Sequence, residues 1–257
     1  MKENLTIIKV GGKIVEQEDT LAQLLDDFAK IPGYKVLVHG GGRSATQMAA
    51  RLGVETKMID GRRVTDSEML QIVTMVYGGL VNKNIVAQLQ ARDINALGLT
   101  GADMNVILSR RRPAQPIDFG FVGDVSEVNG KCLANIIGEG IVPVMAPLTH
   151  DHNGSLLNTN ADTIAGEVAK SLTPYFDVTL IYCFEKAGVL RDENDDNSVI
   201  PHITYQDFVQ LKDEGVIQGG MIPKLQNSFE AINNGVTQVI ITKADSVGLE
   251  AGTKITK

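Results

Sequence analysis

The chain has 257 residues and is 43% hydrophobic, enough for one large domain, or two joined lobes, with a full core. Its formal net charge of −7 argues against general nucleic-acid binding, and an aromatic content of 5% with no tryptophan leaves no base-stacking platform. No apolar run approaches the roughly 18 residues of a membrane span. No basic segment followed by an apolar one opens the chain, so a secretory leader is not expected. Cys132 and Cys183, without CxxC spacing, read as reduced thiols of a cytoplasmic protein.

Strand and helix patterns alternate along the chain, which predicts an α/β fold with a mostly parallel sheet. Residues 5–12, Leu-Thr-Ile-Ile-Lys-Val-Gly-Gly, predict a buried strand that carries Lys9 and breaks at Gly11 and Gly12. Bare backbone N–H groups beside a lysine suit an anion, so this stretch reads as half of a phosphate site. Leu21, Leu24, Leu25 and Phe28 set helical spacing over residues 19–30, with Asp19 as a candidate N-cap. A second strand at 35–38 runs into His39-Gly40-Gly41-Gly42, and a helix follows over 43–52. This strand–triglycine–helix corner is a second anion site, where N–H groups and a helix dipole face one pocket.

Gly61-Arg62-Arg63-Val64-Thr65-Asp66 precedes a helix predicted over 67–77, capped by Thr65 or Asp66, and another follows over 81–92. An arginine beside a helix N-terminus is a natural carboxylate clamp. From 96 to 147 short strands at 96–99, 106–109 and 120–125 predict hairpins at the sheet edge, with Arg110-Arg111-Arg112 as a solvated hairpin. A helix over 133–139 leads to a strand at 141–145. Leu157-Asn158-Thr159-Asn160-Ala161-Asp162 places two amides and a carboxylate where an extended segment turns into a helix reaching about 171. Leu172-Thr173-Pro174 divides an N-terminal lobe, 1–173, from a C-terminal lobe, 174–257, of one domain. Beyond it lie a strand at 178–182, an acidic surface loop at 191–198, helices at 204–214 and 221–234, a core strand at 238–241 and an edge strand at 252–255. Lys224 falls one turn into the second of these helices. A helix N-terminus disfavours a cation, so a lysine there suggests a bound anion.

Other matches are weaker. Gly40-Gly41-Gly42-Arg43-Ser44-Ala45 fits GxGxxA, with Asp60 as the acidic partner of a dinucleotide site, but it follows the second strand and leaves Gly11-Gly12 unused. Asp118-Phe119-Gly120 lacks the rest of a protein-kinase set, and His150-Asp151-His152 reads as a solvated turn rather than a metal pair.

Seven short segments, in this order, together resemble the amino-acid kinase family over essentially the whole chain. They are Ile-Ile-Lys-Val-Gly-Gly (7–12), Val-His-Gly-Gly-Gly (38–42), Gly-Arg-Arg-Val-Thr (61–65), Gly-Phe-Val-Gly-Asp-Val (120–125), Asn-Thr-Asn-Ala-Asp (158–162), Gly-Gly-Met-Ile-Pro-Lys (219–224) and Gly-Thr-Lys-Ile (252–255). The Arg-Val-Thr and Asn-x-Asn-Ala-Asp pair is most similar to members that phosphorylate N-acetylglutamate.

The resemblance implies a three-layer αβα sandwich whose N-terminal lobe binds an N-acylglutamate and dimerises, and whose C-terminal lobe binds ATP. It implies that Gly41 and Gly42 bind the γ-carboxylate region, and that Arg63 and Asn158 bind the amino-acid end. Lys9 and Lys224 would flank the transferring phosphoryl group, Gly11 and Gly12 would donate N–H bonds to it, and Asp162 would hold both lysines. Gly188 would lie at the nucleotide, and Mg²⁺ would bridge ATP phosphates. The chain departs from the family at Cys183-Phe184-Glu185-Lys186, where Thr or Ser and then Asp-Val are usual. The acyl group, acetyl or a larger one such as succinyl, is left open. So are the family's kinases for glutamate, aspartate, carbamate or UMP, and a non-catalytic regulator, against which the two lysines speak. Because the chain begins a few residues before Lys9, the resemblance also implies an arginine-insensitive homodimer.

Overall fold

The computed structural model describes residues 2–59, 61–248 and 251–257; Asp60, the candidate dinucleotide partner, lies outside them. In chain order the elements begin β1 (Glu3–Val10), α1 (Gly12–Glu16), α2 (Glu18–Lys30), β2 (Tyr34–His39), α3 (Gly42–Arg51), β3 (Met58–Ile59) and β4 (Arg62–Arg63). Then come α4 (Ser67–Val73), a π-helical segment (Thr74–Val81), α5 (Asn82–Gln90), β5 (Ala96–Leu99), β6 (Ile107–Arg111), β7 (Gly123–Val128) and α6 (Gly130–Gly138). The remainder is β8 (Val142–Met145), β9 (Leu148–His150), β10 (Leu156–Asn158), α7 (Ala161–Leu172), β11 (Phe176–Phe184), β12 (His202–Ile203), α8 (Tyr205–Asp213), α9 (Met221–Asn233), β13 (Gln238–Lys243) and β14 (Thr253–Ile255).

The main sheet has eight strands in the order β12-β14-β13-β11-β1-β2-β8-β5, with only the β13–β14 pairing antiparallel. Residue parity in β1 divides the core. Leu5 and Ile7 pack with residues of α6, α7, α8 and α9, whereas Ile8 and Val10 pack with residues of α2, α3, α4 and α5. Two apolar layers on opposite faces make the expected αβα sandwich. Full burial of each such isoleucine contributes about 1.5–3 kcal/mol. Lys9 shares the face of Leu5 and Ile7, so the strand that builds the core also aims this lysine toward α7.

Strands β2, β8 and β5 lie on one side of β1, and β11 and β13 on the other. Ligands of open α/β sheets bind at such a switch point, outside the carboxyl ends of the strands. The turns at Gly11, Gly40 and Glu185 all leave carboxyl ends there. A second sheet, β10-β9-β6-β7, carries the expected hairpins beside this opening.

Several expectations shift. Gln17, not Asp19, stands at the N-cap of α2, where no side chain caps. Asp66 rather than Thr65 caps α4 by accepting from the Met69 N–H. The helices predicted at 67–77 and 81–92 are joined through the π-helical segment. The predicted strand at 120–125 starts at Gly123, because residues 119–122 instead bridge Thr65 and Asn158. The last strand, β14, is not the edge: it lies between β13 and the two-residue β12.

Candidate active site

The two glycine turns meet. A Cβ on Gly12 would stand 3.5 Å from both Gly41 N and Gly42 N, and one on Gly40 would stand 3.0 Å from Gly12 N. The first and second strands thus bring three backbone N–H groups to one point. Side chains at these glycines would cover them. Tyr77, from the π-helical segment, closes the other side: a Cβ on Gly41 would come within 2.8 Å of its ring. π turns inside α-helices recur at functional sites.

Lys9, 8% exposed, lies at this point with Nζ 2.7 Å from Asp162 Oδ1. The contact is an ion pair without an aligned hydrogen bond to that oxygen. Asp162 is placed by the first turn of α7, whose N-cap Asn160 accepts from Thr163 N. Lys224, in the first turn of α9, makes no ion pair with Asp162. Its Nζ instead lies 3.4 Å from the centre of the Phe184 ring. Burial pushes its ammonium below the ordinary lysine range. Asp162 pulls it back up, Lys9 adds to the lowering, and Glu185 raises it. The expectation that Asp162 holds both lysines is therefore met by contact at Lys9 alone.

A cavity of about 600 Å³ is lined by Gly11, Gly12, Phe184, Gly188, Lys224 and Arg63, among others. Gly188 is also required by packing, since a Cβ there would sit 2.7 Å from Thr253 Oγ1. A smaller cavity of about 210 Å³ adjoins it through Gly42, Met58 and Arg63, and includes Gly41, Arg112 and Asn158. Arg63 donates from Nη2 to the Gly42 carbonyl at 2.7 Å and to Thr46 Oγ1 at 2.8 Å. Asn158 Nδ2 donates to Thr65 Oγ1 at 3.0 Å. Segment 119–121 stitches them together: Thr65 N donates to Phe119 O, Phe121 N to Thr65 O, and Asn158 N to Phe121 O. All ten expected site residues thus line one of two adjoining cavities or, like Lys9 and Asp162, meet beside them.

Five neighbours carried no expected role: Arg112, Arg111, His39, Cys183 and Phe184. Arg112 lines the smaller cavity and pairs with Asp124, while Arg111 donates to the Gly120 carbonyl and lies over Phe121. Arg110 and Arg111 are exposed on the β6–β7 hairpin, as expected of a solvated run, and only Arg112 departs from it, half-buried against the Phe119–Phe121 turn. His39 is fully buried. Its Nδ1 lies 2.7 Å from the Gly40 carbonyl, and Asn82 Nδ2 lies 3.1 Å from Nε2. Burial lowers its pKa to about 4, partly opposed by the Gly40 contact, so the ring is neutral and donates from Nδ1. Cys183, against β1, is no nucleophile: burial pushes its thiol up to about 12, with Lys9 pulling the other way. Phe184, at the end of β11 beneath Lys224, is the last.

The sheet order and crevice place the chain among the α/β proteins that bind ligands at the carboxyl ends of parallel strands. The amino acid kinase family pattern matches residues 4–243, and the chain belongs to that family. It is 69% identical over 257 residues to the acetylglutamate kinase of Bacteroides thetaiotaomicron, covering 100% of both chains. Among solved structures, smu.665 from Streptococcus mutans UA159 is 30% identical with a TM-score of 0.79, covering 98% of each chain. N-acetylglutamate synthase from Neisseria gonorrhoeae, solved with coenzyme A and N-acetyl-glutamate, shares the fold at 21% identity and a TM-score of 0.83. That match covers 98% of this chain and 59% of the synthase. The expected fold and a kinase of this type are borne out.

Proposed function

We propose that this protein transfers the γ-phosphoryl group of ATP to the γ-carboxylate of N-acetylglutamate, or of a glutamate with another N-acyl group such as succinyl. The reading is carried by the junction of the two glycine turns beside the Lys9–Asp162 pair. The smaller cavity takes the acylglutamate, with Arg63 and Asn158 toward its amino-acid end and Gly41 and Gly42 toward its γ-carboxylate. The larger cavity takes the nucleotide, which assigns residues 1–173 mainly to the acceptor and 174–257 mainly to the donor.

A γ-carboxylate oxygen attacks the γ-phosphorus, the bond to the β-phosphate oxygen breaks, and ADP leaves. A carboxylate with an ordinary pKa near 4.3 is already ionised, so no general base is needed. What remains is to position both anions and to spread the charge on the moving group. Gly11 and Gly12 offer N–H groups there, and Lys9 and Lys224 supply positive charge from two sides. Among the described residues no three His, Cys, Asp or Glu side chains converge to hold a metal. The donor set therefore fits a Mg²⁺ carried by the nucleotide's own phosphates, where it would offset their charge.

Among the described residues no helix is long and apolar enough to cross a membrane, and both cysteines are free, which supports a cytoplasmic enzyme. Met75 and Leu80 on the π-helical segment and Leu97 on edge strand β5 are exposed, which supports a homodimer through that side. A monomer in sedimentation would remove that part. The activity is tested by trapping the acyl phosphate with hydroxylamine, using ATP and glutamate, N-acetylglutamate or N-succinylglutamate. Hydroxamate from an N-acylated glutamate is expected. Formation only from free glutamate, or from none of the three, would overturn the proposal.

A further inference from the structure

Lys9 and Lys224 meet at the site with unlike partners. Asp162 contacts Lys9, and among the described residues no carboxylate lies within ion-pair distance of Lys224. Phe184 faces both cations, with Lys224 Nζ 3.4 Å and Lys9 Nζ 5.3 Å from its ring centre. The ring is fixed from behind. Tyr182, two residues earlier on the same face of β11, stacks on it with centroids 6.0 Å apart and planes 13° apart. Tyr182 Oη in turn donates to the Asp162 carbonyl at 3.3 Å. Asp162 thus anchors one lysine through its carboxylate and the support of the other through its backbone.

We propose that Phe184 is a positioning residue for phosphoryl transfer, its π face holding Lys224 over the reaction centre and yielding it to the donor's phosphate. The aromatic face attracts an ammonium through its quadrupole, by a factor of about 3 to 30 in an equilibrium. A carboxylate in its place would grip Lys224 more tightly and repel the incoming triphosphate. A neutral ring does neither. The inference rests on the proposed phosphotransfer, because Lys224 must have a phosphoryl group to move to.

The test compares Phe184→Leu, which keeps apolar volume but removes the π face, with Phe184→Tyr and Lys224→Ala in the hydroxamate assay. Phe184→Leu is expected to lower kcat about tenfold with KM for the acylglutamate unchanged, and Phe184→Tyr to stay within about twofold of the parent. Equal kcat for the Leu and Tyr variants would overturn the inference. A second readout does not depend on turnover. The chain has no tryptophan, so Phe184→Trp is a single reporter beneath Lys224. A non-hydrolysable ATP analogue is expected to change its emission as Lys224 leaves the ring, and to change it less when Lys224 is also replaced by Met. Identical changes with and without Lys224 would overturn the inference. Full activity of Lys224→Ala, or no hydroxamate from the parent, would instead bring down the underlying reaction. An inactive Lys224→Ala beside a fully active Phe184→Leu brings down the role of Phe184 alone.

Discussion

The two lysine corners of the site are built on opposite plans. Lys9 stands on the central strand of the sheet, almost fully buried, with a carboxylate 2.7 Å away. Lys224 stands in the first turn of a helix, pressed below its ordinary pKa by burial and facing an aromatic ring. The first is a cation whose charge the fold has already matched. The second is a cation the fold leaves unmatched, and only an arriving anion completes its surroundings. A site that must hold a phosphoryl group and then release it gains from having one of each.

Removing either lysine tests this contrast most strongly. Lys9→Ala and Lys224→Ala are each expected to lower turnover by about 10³-fold or more, as loss of charge stabilisation at a moving phosphoryl group should. Their stabilities should diverge: Lys224→Met should melt no lower than the parent, because it removes a charge that burial disfavours, and a clear fall in its midpoint would erase the distinction. Asp162→Asn strands the Lys9 charge and is expected to cost about 3–5 kcal/mol in urea unfolding.

Acid stability addresses the turn next to Lys9. The folded pKa of His39 is about 4, below its ordinary 6.5. Its contribution is therefore complete above pH 6.5 and is lost as pH falls from there toward 4, by roughly 3 kcal/mol in all. His39→Gln should flatten the stability profile across that window; parallel profiles would show that His39 does not set the slope. The smallest effect is expected for Gly12→Ala, whose Cβ meets only ordinary contacts. It should fold normally yet bind the acylglutamate about tenfold more weakly, because the methyl covers the N–H groups of Gly41 and Gly42. Unchanged KM for the acylglutamate would show that those groups face elsewhere.

What the amino-acid order made legible follows from periodicity and punctuation. Apolar runs ending in Gly11-Gly12 and Gly40-Gly41-Gly42 announce strands that stop in bare backbone, and the main layers follow from the alternation of elements. The hidden part depends on contacts between distant segments. Arg112 enters the smaller cavity only because the turn at Phe119–Phe121 is pinned between Thr65 and Asn158, residues 93 positions apart. His39 is a fixed prop for the Gly40 carbonyl only because Asn82 reaches it from α5. The Phe184–Lys224 pair joins a strand end to a helix start across the chain's last third, and no local pattern encodes it. The merged helix at 67–90 was missed because Gly78-Gly79 reads as a break, whereas the π turns carry the helix through it.

The parity of β1 has an evolutionary consequence. Leu5, Ile7 and Lys9 look to one face and Ile8 and Val10 to the other. A single inserted or deleted residue before Lys9 would exchange the two faces, sending the ammonium into an apolar layer and an isoleucine toward Asp162. Point substitutions in this strand can be graded and repaired one at a time, but a length change there undoes core and chemistry together. The exposed loop at 191–197 has no such coupling and is open to changes of length. Insertions and deletions among descendants of this chain should therefore collect in that loop and be purged from the eight residues of the sheet's central strand, Glu3–Val10.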